Sequence, residues 1–315
     1  MKVIMYHYVR QDEPSLPHFR HLHIDDFRLQ LDYLERAFGF IPKDKFLASI
    51  TDKTAPPKGV VLTFDDGLKD HARFVLPELQ KRNLFGIFYI PTGMYQSGKL
   101  LGPHRIHMLL GKYGGEEIFG ALKNIVSDDM LPFSSREEFK TLTYRRHQDD
   151  DTTKLVKRTL NYFIDEHYRE PVLDKLMGQF FPHESEFARD YYLSPEDLKK
   201  LSAEGMMVGS HGAHHAVMSK LPRAEQEEEI TSSFDLLEET IGGLSPRTYC
   251  HPYGDPLSFD GDTLDILKEA NCLFSFAVEA RDVEKADLIG RPQALPRYDC
   301  NLFPHGQVRS LAPLS

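Results

Sequence analysis

Two adjacent carboxylates, Asp65 and Asp66, end the apolar run Val60-Val61-Leu62-Thr63-Phe64 and are followed by Gly67. Neighbouring acids at the mouth of an apolar core are costly to hold unless a cation or a shared proton compensates them. The pair therefore asks for a partner, although Asp-Gly by itself is also a turn signal. Imidazoles stand at the ends of two other apolar runs: His7 after Val3-Ile4-Met5-Tyr6, and His211, His214 and His215 after Met206-Met207-Val208-Gly209-Ser210. One carboxylate and two neutral imidazoles are a ligand set for zinc, iron or cobalt that leaves positions open for water. The second aspartate would then stay free as a base.

Bringing such distant residues together requires elements that end on one face. Short runs rich in β-branched residues read as buried parallel strands, whose carboxyl ends converge in open α/β sheets and in barrels. Strands are expected at residues 3–6, 60–64, 86–91, 206–210, 247–250 and 274–278, with Pro252-Tyr253-Gly254 following the fifth and Leu295-Pro296-Arg297-Tyr298 closing the ordered pattern. Helical periodicity over residues 69–83, 222–241 and 260–271 supplies the crossovers of a parallel sheet. Asp25 and Asp26 are placed to cap a helix reaching Phe38; Ser194-Pro195-Glu196-Asp197 carries a cap, a first-turn proline and an acid three residues on. His18, His21 and His23 fall in a proline-bearing stretch that reads as a solvated loop. Between residues 96 and 190 the alternation stops, and helical patterns recur near 103–112, 115–126, 136–142, 152–168 and 171–180. Asp149-Asp150-Asp151 reads there as a helix start with three solvated carboxylates.

Composition narrows the function classes. The chain of 315 residues has a net charge of −10, which argues against a nucleic-acid partner. No apolar run reaches membrane-spanning length, and MKVIMYHYVR lacks a signal peptide's hydrophobic region, so the cytoplasm is the expected location. Cys250, Cys272 and Cys300 form no CxxC pair, against a disulfide framework or a cysteine zinc site.

Thr63-Phe64-Asp65-Asp66-Gly67, followed by Ser210-His211-Gly212-Ala213-His214-His215 and Pro252-Tyr253-Gly254, resembles the ordered motifs of the polysaccharide deacetylases, carbohydrate esterase family 4 or the NodB-homology group. Met5-Tyr6-His7-Tyr8-Val9 resembles the opening segment of a subgroup whose acid histidine comes early, and Leu295-Pro296-Arg297 a late segment of some subgroups. The resemblance covers roughly residues 1–95 and 190–300. It implies an α/β fold, a distorted (β/α)7-type barrel of parallel strands over residues 1–95 and 191–305, with a helical insertion at 96–190 and a tail at 306–315. The implied chemistry is metal-dependent hydrolysis of an N-acetyl or N-formyl group on an amino sugar. Asp66, His211 and His215 would hold a divalent transition metal, zinc first, with cobalt, nickel or iron as alternatives. Asp65 would be the base that activates a water on that metal, the Tyr253 amide an oxyanion donor and His7 the acid. His214 lies at the wrong spacing for the family ligand but adjoins it, so which histidine of the pair binds is open.

Two departures matter. The family's usual arginine before the third motif is Cys250 here, and Arg297 is the expected substitute. No late Leu-x-His segment is present; His305 lies in Phe303-Pro304-His305-Gly306. The expected partner is a small-molecule or glycan substrate carrying an N-acyl amino sugar, with a homo-oligomer allowed and a lid or oligomer contact open to the insertion. A cyclic-imide hydrolase and an inactive glycan-binding protein of the same fold are the competing readings.

Overall fold

The apolar runs become parallel strands. A computed structural model describes residues 1–134, 136–144 and 149–312. Among the described residues β1 (Lys2–Tyr6), β2 (Val60–Phe64), β3 (Gly86–Ile90), β4 (Met207–Ser210), β5 (Thr248–Cys250), β6 (Phe274–Phe276) and β7 (Tyr298–Asp299) form one sheet. Its order is β6-β5-β4-β3-β2-β1-β7, with parallel pairing throughout. The segment leading into β7 touches both edges. Leu295 bridges Phe276 on β6, and Tyr298 pairs with Ile4 on β1. The Leu295 N–H donates to the Ser275 carbonyl at 2.8 Å, and its own carbonyl accepts from Ala277 at 2.9 Å. The sheet is thereby curled into the distorted (β/α)7-type barrel that the motifs implied.

Alternation along β2 decides which side chains reach the interior. Tyr6, Phe64 and Phe88 are register neighbours on β1, β2 and β3 and form a stacked row, with ring centroids 5.4 and 4.9 Å apart. Phe27 closes edge-on against Tyr6 at 5.2 Å. Successive strand side chains point to opposite faces, so with Phe64 in that row Thr63 and Asp65 turn the other way. Gly209 on β4 has no room for a side chain: a Cβ would lie 2.6 Å from the Tyr89 ring and 2.8 Å from the Thr248 carbonyl.

The described chain divides into two compact units. The first comprises Met1–Gln11, His21–Ser97 and Arg189–Val308, and holds the barrel. Its helix Ile24–Phe38 is capped differently from the expectation: His23 is the N-cap, its Nδ1 accepting from the Asp25 N–H at 3.2 Å, and Asp25 and Asp26 sit in the first turn. A histidine in extended conformation at that point offers an acceptor two positions before the first of the acids. His21 is buried, so neither it nor His23 is simply a solvated loop residue. Ser194 and Asp197 form the expected capping box of the helix Pro195–Ala203, and Gly242 ends Arg223–Ile241 in left-handed conformation.

The second unit comprises Asp12–Arg20, Gly98–Ala188 and the described residues from Arg309 on. The patterns at 103–112 and 115–126 belong to one element, Gly102–Leu122, interrupted at Gly114 with φ 77°. It packs Ile106, Leu109, Ile118 and Leu122 against Val156 and Leu160, and against Val172, Leu173 and Leu176 of the helix Glu166–Phe180. Asp150 caps Asp151–Arg158 through the Thr153 N–H at 2.7 Å. Asp149 is not solvated: it is buried between Arg20 at 3.2 Å and Lys157 at 2.7 Å, because each cation meets it from a different part of this unit. Among the described residues no helix is long and apolar enough to cross a membrane.

Candidate metal centre

The two aspartates after β2 have unlike environments. Asp65, whose N–H still pairs with Tyr6 O at 2.9 Å, points inward and meets Arg297 in a bidentate pair, Nη1–Oδ1 2.9 Å and Nη2–Oδ2 2.8 Å. Arg297 also donates to Thr63 Oγ1 and to Cys250 Sγ, each at 2.9 Å. Burial pushes the Asp65 carboxyl up, but the Arg297 guanidinium, helped by His211, outweighs it and holds the group at about 2. Burial pushes the Cys250 thiol well up, so it remains protonated and its S–H lies 3.5 Å from Asp65 Oδ2. Cys250 is therefore not merely a small apolar filler; its sulfur contacts both members of the ion pair, and Arg297 reaches it from the segment that closes the barrel.

Asp66 follows with φ 78°, and the turn continues through Gly67 at φ 60°. Left-handed backbone is uncommon outside glycine, and aspartate tolerates it better than most residues. The turn carries Asp66 toward the end of β4, where its Oδ1 lies 3.5 Å from His211 Nε2 and 3.5 Å from His215 Nε2. His215 is itself left-handed, at φ 55°. The His211 and His215 rings meet nearly perpendicular with centroids 4.7 Å apart. His211 Nδ1 bonds the Cys250 carbonyl at 2.7 Å, which must make Nδ1 the donor and leaves the lone pair on Nε2, facing Asp66. Burial lowers the pKa of His211, keeping the ring neutral and able to bind a metal.

These three buried groups fit a divalent metal. Donor atoms around tetrahedral zinc at about 2.0–2.1 Å lie about 3.3 Å from one another, close to the 3.5 Å separations here. Asp65, His211 and Cys250 also bring donor atoms within 4.8 Å of one another. That second set is unsuitable, since Arg297 already places a positive charge against both Asp65 and Cys250.

The remaining expected site residues lie nearby. His7 is 40 % exposed at its side chain, and its Nε2 stands 4.0 Å from Asp65 Oδ2. Tyr253, at φ 61° beside Gly254 at φ 72°, rests its ring 4.8 Å from that of His215.

The family model described as polysaccharide deacetylase matches residues 164–276, which include both histidines of the donor set and the Pro252-Tyr253-Gly254 turn. That segment of the chain is similar to the polysaccharide deacetylases. Solved structures share the fold: the Streptococcus pyogenes deacetylase PplD in complex with acetate, at 14% identity, 95% of this chain, 91% of that one and a TM-score of 0.58. A de-N-acetylase from Aggregatibacter actinomycetemcomitans gives 14%, 94%, 93% and 0.51, and the BpsB deacetylase domain from Bordetella bronchiseptica 13%, 95%, 94% and 0.50. No curated protein sequence matches the chain significantly. The donor set and this similarity together support a metal-dependent, amide-hydrolysing mechanism.

The structure separates the adjacent histidines. His214 is 63 % exposed at its side chain and turns to Glu229, its Nδ1 against Oε1, while His215 faces Asp66. Sequence reading singled out neither Glu229 nor His71. His71 is buried among Phe64 and Phe88, and its Nε2 bonds the His7 carbonyl at 2.9 Å. Burial lowers its pKa to about 4, so it is neutral and donates from Nε2. Its position four residues after Gly67 in a helical pattern was the available signal; Glu229, within the run Glu227-Glu228-Glu229, had none.

Proposed function

We propose that the chain removes an N-acetyl, or alternatively N-formyl, group from an amino sugar or glycan intermediate, with zinc as the resident metal and cobalt, nickel or iron as substitutes. The convergence of Asp66 Oδ1 with His211 and His215 Nε2 at 3.5 Å carries this reading. A divalent ion held by Asp66, His211 and His215 would polarise the acyl oxygen and make water acidic enough to yield its proton to a weak base. Asp65, ionised at neutral pH, takes that proton as the water oxygen attacks the carbonyl carbon. The Tyr253 N–H steadies the developing oxyanion. As the C–N bond breaks, His7 gives a proton to the departing nitrogen. Arg297 positions Asp65. The early histidine supports kinship with the subgroup that opens on Met-Tyr-His, and the three free cysteines, all buried, support a reducing location, the cytoplasm. Sugar nucleotides and small glycan intermediates are the substrates such a location favours.

The direct test is zinc content and acetate release. Protein reconstituted with zinc is expected to hold about one ion per chain and to release acetate from N-acetylated sugar nucleotides or short glycans, with both lost in a His211→Ala/His215→Ala variant. Wild-type protein that takes up no transition metal sinks the proposal. His7→Asn should lower kcat by about 10²–10⁴-fold with zinc content unchanged. A variant with wild-type kcat would remove His7 from the acid role.

A further inference from the structure

We propose that Glu229 is a positioning residue for the metal centre, clamping the turn between His211 and His215 and holding His214 away from it. The inference rests on the metal-site reading above. Glu229 Oε2 accepts the N–H of Ala213 at 3.1 Å and of His214 at 2.8 Å, and Oε1 engages the His214 ring. One carboxylate thus binds all but one of the residues that separate the two imidazoles facing Asp66. The remaining residue, Gly212, donates its N–H to Ser210 Oγ at 3.1 Å, which in turn meets the hydroxyl of Ser233. Glu229 and Ser233 are i and i+4 on the helix Arg223–Ile241, so one helical face grips the turn. From the other side, the Thr92 N–H reaches the Gly212 carbonyl at 3.2 Å and the Gly93 N–H the Ala213 carbonyl at 2.8 Å.

This arrangement explains why one glutamate in an acidic run is buried while Glu227 and Glu228 are exposed. The turn must cross left-handed backbone at Gly212, φ 74°, and at His215, φ 55°, to return the second imidazole to Asp66. Such a conformation persists only where surrounding bonds over-determine it. Two adjacent histidines also present a choice of ligand, and a carboxylate that takes the first ring leaves the second for the metal.

The test measures zinc affinity by competition with a chromophoric chelator, and hydrogen exchange of the Ala213 and His214 amides in chelator-treated, metal-free protein. Glu229→Ala is expected to weaken zinc binding by about 10–100-fold and to speed exchange at those two amides while amides of the barrel strands keep their protection. Glu229→Gln, which retains an oxygen at the same reach, should recover most of the affinity. His214→Ala, which leaves both amide bonds in place, should stay close to wild type. If Glu229→Ala does not fold, Glu229→Asp, whose carboxylate is withdrawn by one methylene, carries the same comparison. Unchanged affinity and unchanged amide exchange in the folded variant overturn the clamp alone. Wild-type protein that binds no zinc in the same titration overturns the metal-site reading and the clamp with it.

Discussion

Asp66→Asn is expected to lose its zinc and to reduce kcat/KM by about 10³-fold or more, since a metal contributes several kcal/mol of transition-state stabilisation and each 1.36 kcal/mol is tenfold in rate. The substitution keeps size and shape but removes the negative charge of the donor set. What remains is two buried imidazoles, with Asp65 already committed to Arg297. Elemental analysis and acetate release measure the loss, and an unchanged near-ultraviolet circular dichroism spectrum distinguishes it from unfolding. His214→Ala is the matched control, because its ring faces Glu229. Zinc retained by Asp66→Asn, or stripped by His214→Ala, would reverse the ligand assignment.

Arg297→Met should destabilise the metal-free protein by about 3–5 kcal/mol at neutral pH, the effect of leaving a buried charge without its partner. It should also change the sign of one pH dependence. In the wild type the folded-state pKa of Asp65 is depressed from 3.8 to about 2. Its contribution to stability is therefore present above the unfolded value, near pH 4, and is lost as the pH falls through about 2. Without the guanidinium, burial is expected to outweigh the remaining attraction of His211 and His7 and to raise the folded-state pKa above the unfolded one. The folded variant then binds a proton more readily than the unfolded chain, so its deficit is smallest below about pH 4 and grows as the pH rises. Urea unfolding of both proteins with chelator, from pH 4 to pH 7, reads this as a difference that widens with pH. A constant difference would mean that Arg297 does not set the protonation of Asp65.

The strands, the capping box at Ser194 and the places where the motifs fall follow from patterns only a few residues long. An apolar β-branched run that ends at two aspartates and a glycine can satisfy its backbone and bury its side chains in few other ways. The run at Val60–Phe64 accordingly forms the strand the pattern predicts, and Asp65 and Asp66 stand at its end. A parallel sheet was likewise legible, because the runs and the helices between them alternate as parallel crossovers require; that it curls into a barrel was implied only by the resemblance of the motifs.

What local pattern left undecided was how buried charge is satisfied. Spacing left His214 and His215 open as ligands; Glu229, on a helix that begins eight residues later at Arg223, takes the first. Cys250 read as a departure from a motif, and only closure of the sheet by Leu295–Asp299 shows that Arg297 reaches Asp65 and the Cys250 sulfur together. Asp149 read as one of three solvated acids until Arg20 and Lys157 came to bury it. The physical reason is common to all three. Backbone conformation responds to neighbours in sequence, whereas a buried carboxylate or imidazole takes its partner from whatever the folded chain brings within about 3 Å of it. For Asp65 that partner lies 232 residues away, at a distance no periodicity records.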